Sequence, residues 1–106
     1  HKLHLDKSEK LIRKALEIRP GEAAILDSVA WVLYLKGSYK EAAKYSSLAY
    51  SKDQDPEIIE HHYLILLKNG NSNEAKSILD QSIKNNPNSE KLLKLLDSSE
   101  NAAIKL

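Results

Sequence analysis

The sequence predicts an all-α fold, a solenoid of antiparallel helix pairs, on three observations. Apolar residues recur at helical spacing nearly everywhere, with no sustained period-two alternation. Breakers cut the chain at regular places: Pro20-Gly21, Gly37-Ser38, 53–56, 69–73 and 85–89. One arrangement also occurs twice, as Lys36 to Lys44 (KGSYKEAAK) and Lys68 to Lys76 (KNGNSNEAK). Aligning the two sets Gly37 on Gly70 and Ala42 on Ala75, both 33 residues apart. A fixed period in that range marks stacked repeats.

The breakers delimit six helices, at 5–18, 22–36, 39–51, 56–68, 72–84 and 89–104. In the second, Leu26, Val29, Ala30 and Leu33 lie on one stripe. It ends at Gly37, where a left-handed residue satisfies terminal carbonyls at no steric cost. The third carries Ala42 near its start and Ala49 further along, small residues that let two helix backbones approach closely. The fourth opens on Asp55-Pro56-Glu57: a capping side chain, proline at the first helical position, and a carboxylate in the positive first turn. Its stripe is Ile59, Tyr63, Leu66 and Leu67, and it ends at Gly70. The fifth repeats the small residues at Ala75 and Ser82. Short loops make neighbouring helices antiparallel.

The bulk composition limits function. At 106 residues the chain is one domain's worth, with 42% hydrophobic and 29% charged residues. The 16 basic residues are spread along a chain of net charge +1, which gives no stripe for a phosphate backbone and predicts no nucleic-acid binding. No apolar run is long enough to span a bilayer, so no membrane insertion is expected, and no signal-peptide pattern is present. Having no cysteine, the chain has no disulfide, thiolate metal site or cysteine nucleophile, a composition that suits the cytoplasm or the bacterial periplasm equally. The lack of methionine predicts that it is a segment of a longer protein.

The run Val29-Ala30, Leu33, Gly37, Tyr39, Ala42, Ala49 resembles the tetratricopeptide repeat. A second copy reads His62-Tyr63, Leu66, Gly70, Ser72, Ala75, Leu79, Ser82 and Pro87, and a partial one reads Leu5, Ser8, Ile12, Ala15 and Pro20. The stretches ILDSVAWVLYLKGSYKEA and DPEIIEHHYLILLKNG are most similar to bacterial members. The resemblance covers about residues 5–96. It implies a right-handed superhelical solenoid in one domain, 1–106. Its parts are the second helix of a truncated repeat (5–20), repeats at 22–54 and 55–88, and a capping helix at 89–106. The sequence departs from the motif at Ser46 (for an aromatic), Ser72 (for Tyr) and His62 (for Leu), which makes those contacts smaller or more polar.

In this family the first helix of each pair lines a concave face that grips a segment of a partner. Carried over by position, the resemblance implies a groove of Asp27, Trp31 and Tyr34, then Glu57, Glu60, His61 and Leu64, with Lys91 and Lys94 at its end. Trp31 has two readings: its ring packs flat on the neighbouring helix, or it receives a ligand. The family's chaperone adaptors hold a C-terminal carboxylate with Lys, two Asn, Lys and Arg. Those places here hold Asp27, Trp31, Leu64, Lys91 and Leu95, so only Lys91 matches and a chaperone-tail clamp is not expected.

His61-His62 suggests a metal, but adjacent helical residues point about 100° apart and cannot easily share one ion. No metal site is expected. His62 is expected to be buried, neutral and hydrogen-bonded, and His61 to meet Asp27 at the groove. No phosphate loop, nucleophile elbow or paired buried carboxylates occur, so no catalytic residue and no cofactor are expected. The reading is a non-enzymatic interaction module that binds a peptide or helix, apolar with a basic segment. The alternatives are an architectural piece of a longer superhelix, a homodimer module, and a regulatory domain whose enzyme lies elsewhere in the parent chain.

Overall fold

The computed structural model describes residues 2–105, with side chains described from residue 4 to residue 99. Six helices follow one another: α1 (Lys2–Ile18), α2 (Ala23–Leu35), α3 (Tyr39–Lys52), α4 (Pro56–Lys68), α5 (Ser72–Asn85) and α6 (Glu90–Lys105). The described residues contain no strand. Helix α1 starts three residues before the expected position, because no breaker precedes Pro20.

The two glycine reversals have the backbone they need. Gly37 lies at φ +87° and Gly70 at φ +81°. At the end of α2, the Ser38 N–H donates to the Leu33 carbonyl at 2.8 Å and the Gly37 N–H to the Tyr34 carbonyl at 3.0 Å. At the end of α4, Asn71 donates to Leu66 at 2.9 Å and Gly70 to Leu67 at 3.0 Å. This is the crossed pair of bonds that closes a helix on a left-handed residue. Asn69 adds a tie, its side-chain amide donating to the Tyr39 carbonyl at 2.8 Å and so pinning the end of α4 to the start of α3. At the start of α4, Asp55 accepts from the Glu57 N–H at 3.1 Å, with Pro56 at the first turn.

The helices pack as a curved stack. Helix α2 touches α4 and α4 touches α6, whereas the backbones of α1, α3 and α5 do not approach one another. The layer of first helices is therefore the inner, concave one. Ala42, Ala49 and Ala75 are wholly buried where α3 and α5 cross it. The core runs on from repeat to repeat: Ile65 of α4 packs with Val29, Ala30, Leu33 and Ala42. Leu92 of α6 completes the cluster of Ile59, Tyr63, Leu66 and Leu79.

Helix α1 is held to this stack partly by charge. Lys36 bonds Glu9 at 2.6 Å and Asp6 at 2.7 Å, while Arg13 bonds Glu9 at 2.7 Å and Glu41 at 3.0 Å. Hydrogen bonds from Lys36 and then Arg13 hold the Glu9 carboxyl below the usual carboxylate range. On its far side α1 is bare: Leu11 is 71% exposed and Ile18 75%.

The wholly buried Ala42 generates a test of this packing. Ala42→Leu inserts three carbons into a crossing with no free volume and is expected to cost about 1–3 kcal/mol. A thermal melt matching the parent's would show that α2 and α3 do not cross at that residue.

Candidate functional site

The neighbouring histidines of α4 point to different sides of the helix. His62 turns inward and is 2% exposed. Its Nδ1 lies 2.7 Å from the Oγ of Ser46, also buried, and its ring tilts against Tyr50 at 5.2 Å between centroids. Ser46 and His62, two of the three departures from the motif, are thus bonded to each other. Ser46 Oγ also lies 3.3 Å from the Ala43 carbonyl, so it keeps an acceptor of its own. Burial pushes the His62 pKa down, while the charge of Glu74 opposes the shift.

His61 turns to the concave side. Its Nδ1–H donates to both oxygens of Asp27, at 2.9 and 3.0 Å. Asp27 is 7% exposed, a buried carboxylate satisfied by a residue of the next helix pair. The His61 ring stacks on Trp31 with centroids 4.0 Å apart and 18° between planes, and Tyr34 stacks on Trp31 at 4.6 Å and 14°. Trp31 is the shared member of a stack joining α2 to α4. The flat-packing reading of Trp31 is realised, leaving the indole half-buried.

Beside this stack lies a concave pocket of about 490 Å³ between α2, α4 and the loop joining α3 to α4. Four of the expected groove residues, Asp27, Trp31, Glu57 and His61, line it together. The remainder are spread out. Glu60 bonds Lys91 at 3.2 Å, a bridge from α4 to α6 that occupies both charges. Leu64 packs on the Ile59–Leu92 cluster. Lys94 lines a separate hollow on α6 with Glu90, Leu93 and Asp97. Of the expected nine, four share this pocket and the other five lie outside its lining.

Asp53, Asp55, Val32 and Ile58 also line the pocket and were not expected among the groove residues. The loop acids could have been found, because that loop caps α4 beside the groove and brings two carboxylates to its mouth. Among the described residues no group of three or more His, Asp or Glu side chains is placed to hold a metal ion.

The buried His62 makes stability depend on pH. Its folded pKa lies below the unfolded value near 6.5, so in that interval the unfolded chain binds more protons. Stability is full above the unfolded value and is lost as pH falls toward and through the folded one. His62→Leu, which leaves Ser46 its Ala43 acceptor, is expected to be at least as stable at neutral pH and less acid-sensitive. Circular dichroism across an acid titration checks this; an unchanged transition means that His62 is not the group protonated.

Residues 64–89 match the family model described as Tetratricopeptide repeat. The matched span runs from Leu64 in α4 through the Gly70 reversal and all of α5 to Ser89. No curated protein matches the sequence.

Proposed function

Because the chain is a tetratricopeptide-repeat protein, we propose that it is a protein–protein interaction module that binds a peptide or helix of a partner along the concave layer of α2, α4 and α6. The family suggests interaction or scaffolding and is typically non-catalytic. In this reading the module has no chemistry of its own, and the partner is apolar with a basic segment. The observation that carries it is the pocket beside Trp31, a concavity with an apolar floor and a mouth lined by Asp53, Asp55 and Glu57. Such a site binds by desolvating an apolar anchor while its rim charges select the partner.

Capture from a lysate followed by mass spectrometry identifies partners, and two variants then test the groove. Trp31→Ala removes the indole from the pocket and is expected to weaken capture by about 2 kcal/mol or more. Ser28→Tyr fills the pocket from its lining while keeping Trp31 and His61 and should weaken capture comparably. Lys40→Ala, exposed on α3, should leave capture unchanged. Both pocket variants must keep the parent's circular dichroism. If both stay folded and still capture every partner, the concave face is not the binding site.

One observation favours a second, architectural reading. Leu11, Ala15 and Ile18 share a face of α1 and continue into a hollow with Arg19 and Ile25. A helix of a further repeat or of a second copy would cover this bare apolar stripe. Sedimentation at several concentrations separates the cases. A homodimer through α1 would show a concentration-dependent mass that Ile18→Lys abolishes, and a constant monomer mass excludes it.

A further inference from the structure

The pocket beside Trp31 differs in charge from the chain that forms it. Its lining holds four carboxylates, Asp27, Asp53, Asp55 and Glu57, and no lysine or arginine, in a chain where basic residues outnumber acidic ones 16 to 15. Asp27 is buried and accepts from His61 Nδ1–H. The other three are exposed, and none of them joins an ion pair among the described residues. The same lining includes the apolar side chains of Trp31, Val32 and Ile58, with Ile58 buried.

An anionic group would be repelled here, and a purely apolar one would leave the carboxylates without a partner. A cation on a long apolar stem satisfies both halves, its stem on the floor and its charge at the rim. The indole stacks with both Tyr34 and His61, so contact with its remaining surface is hydrophobic, and the charge must be met by carboxylates. These come from separate positions, Asp53 and Asp55 on the loop and Glu57 in the first turn of α4. A planar guanidinium with five donors can bond two such groups at once, which the point charge of an ammonium does less well.

We propose that this pocket takes an arginine side chain of the partner segment, its methylenes against Trp31, Val32 and Ile58 and its guanidinium forked between the carboxylates of Asp53, Asp55 and Glu57. The inference rests on the groove reading above and names the residue that the groove selects. The pocket volume of about 490 Å³ falls in the range of roughly 300–1,000 Å³ typical of small-ligand sites.

Trp31 is the single tryptophan and lies in the floor, so its emission reports occupancy directly. The whole chain is titrated with N-acetyl-arginine amide and with N-acetyl-citrulline amide, which keeps the shape and loses the charge. The arginine probe is expected to change the emission saturably, and the citrulline probe to need a roughly tenfold higher concentration. The double variant Asp53→Asn, Glu57→Gln leaves the Asp55 cap in place. It should keep the helical dichroism and bind the arginine probe roughly three- to tenfold more weakly at low salt. Equal responses to both probes, no saturable response, or full affinity in the double variant overturns the inference. Partners whose capture needs Trp31 but is untouched by the double variant also overturn it, and leave the groove proposal standing. Partners captured by both folded pocket variants of the preceding section overturn the groove proposal and this inference with it.

Discussion

At φ +87° and +81°, Gly37 and Gly70 hold the backbone where an L side chain would crowd the following carbonyl. There α2 and α4 stop and the chain turns back. The turns take three residues each, so α3 must return along α2 and α5 along α4. Antiparallel return at that distance puts Ala42 and Ala75 at the crossings, where nothing larger than a methyl fits. The close crossings bring the first helices edge to edge, and the concave face follows from that contact. The pocket thus depends on two residues that do not line it.

The same geometry gives the adjacent histidines opposite environments. About 100° of helical rotation separates them, enough to send His62 into the core and His61 onto the groove. Each is satisfied across an interface between consecutive helix pairs, His62 by Ser46 at 2.7 Å and His61 by Asp27 at 2.9 Å. A histidine in place of a leucine would alone leave a buried polar group without a partner, and a serine in place of an aromatic would keep only its own Ala43 carbonyl. Together they form one bond at the interface of α3 and α4, so the two departures from the motif compensate each other.

What the sequence made legible was local. Reversals at Gly37 and Gly70, the α4 cap at Asp55-Pro56 and the apolar stripes need only neighbouring residues and helical geometry. The Asp27–His61 contact was legible because the repeat offset of 33 carries Asp27 onto Glu60, the neighbour of His61 on the groove side of α4. The Ser46–His62 bond was not, since it depends on how far two non-equivalent helices turn toward each other. Trp31 stacks on His61 of the next first helix. Helical side chains lean toward the helix N-terminus, so the indole reaches back to the level of Asp27, where His61 stands. Asp53 and Asp55 were read as punctuation and turned out to line the pocket, because a loop's position depends on the helices it joins. Glu60 and Lys91, both expected in the groove, bond each other across α4 and α6.

The charges on the concave side therefore fall into two sets with different physical roles. Asp27 with His61 and Glu60 with Lys91 are paired across successive first helices. They link successive first helices, Asp27 by accepting from His61 and Glu60 by pairing with Lys91. Asp53, Asp55 and Glu57 line one pocket and are exposed, and charges within a Debye length of about 8 Å at physiological salt act together. A set of that kind acts on an approaching partner before contact, raising the encounter rate, whereas the apolar floor acts only after water has left. Asp53 and Asp55 lie on the loop and Glu57 in the first turn of α4. None of the three takes part in the Trp31–His61–Asp27 contacts that join α2 to α4, so a charge change at positions 53 or 57 would leave those contacts in place.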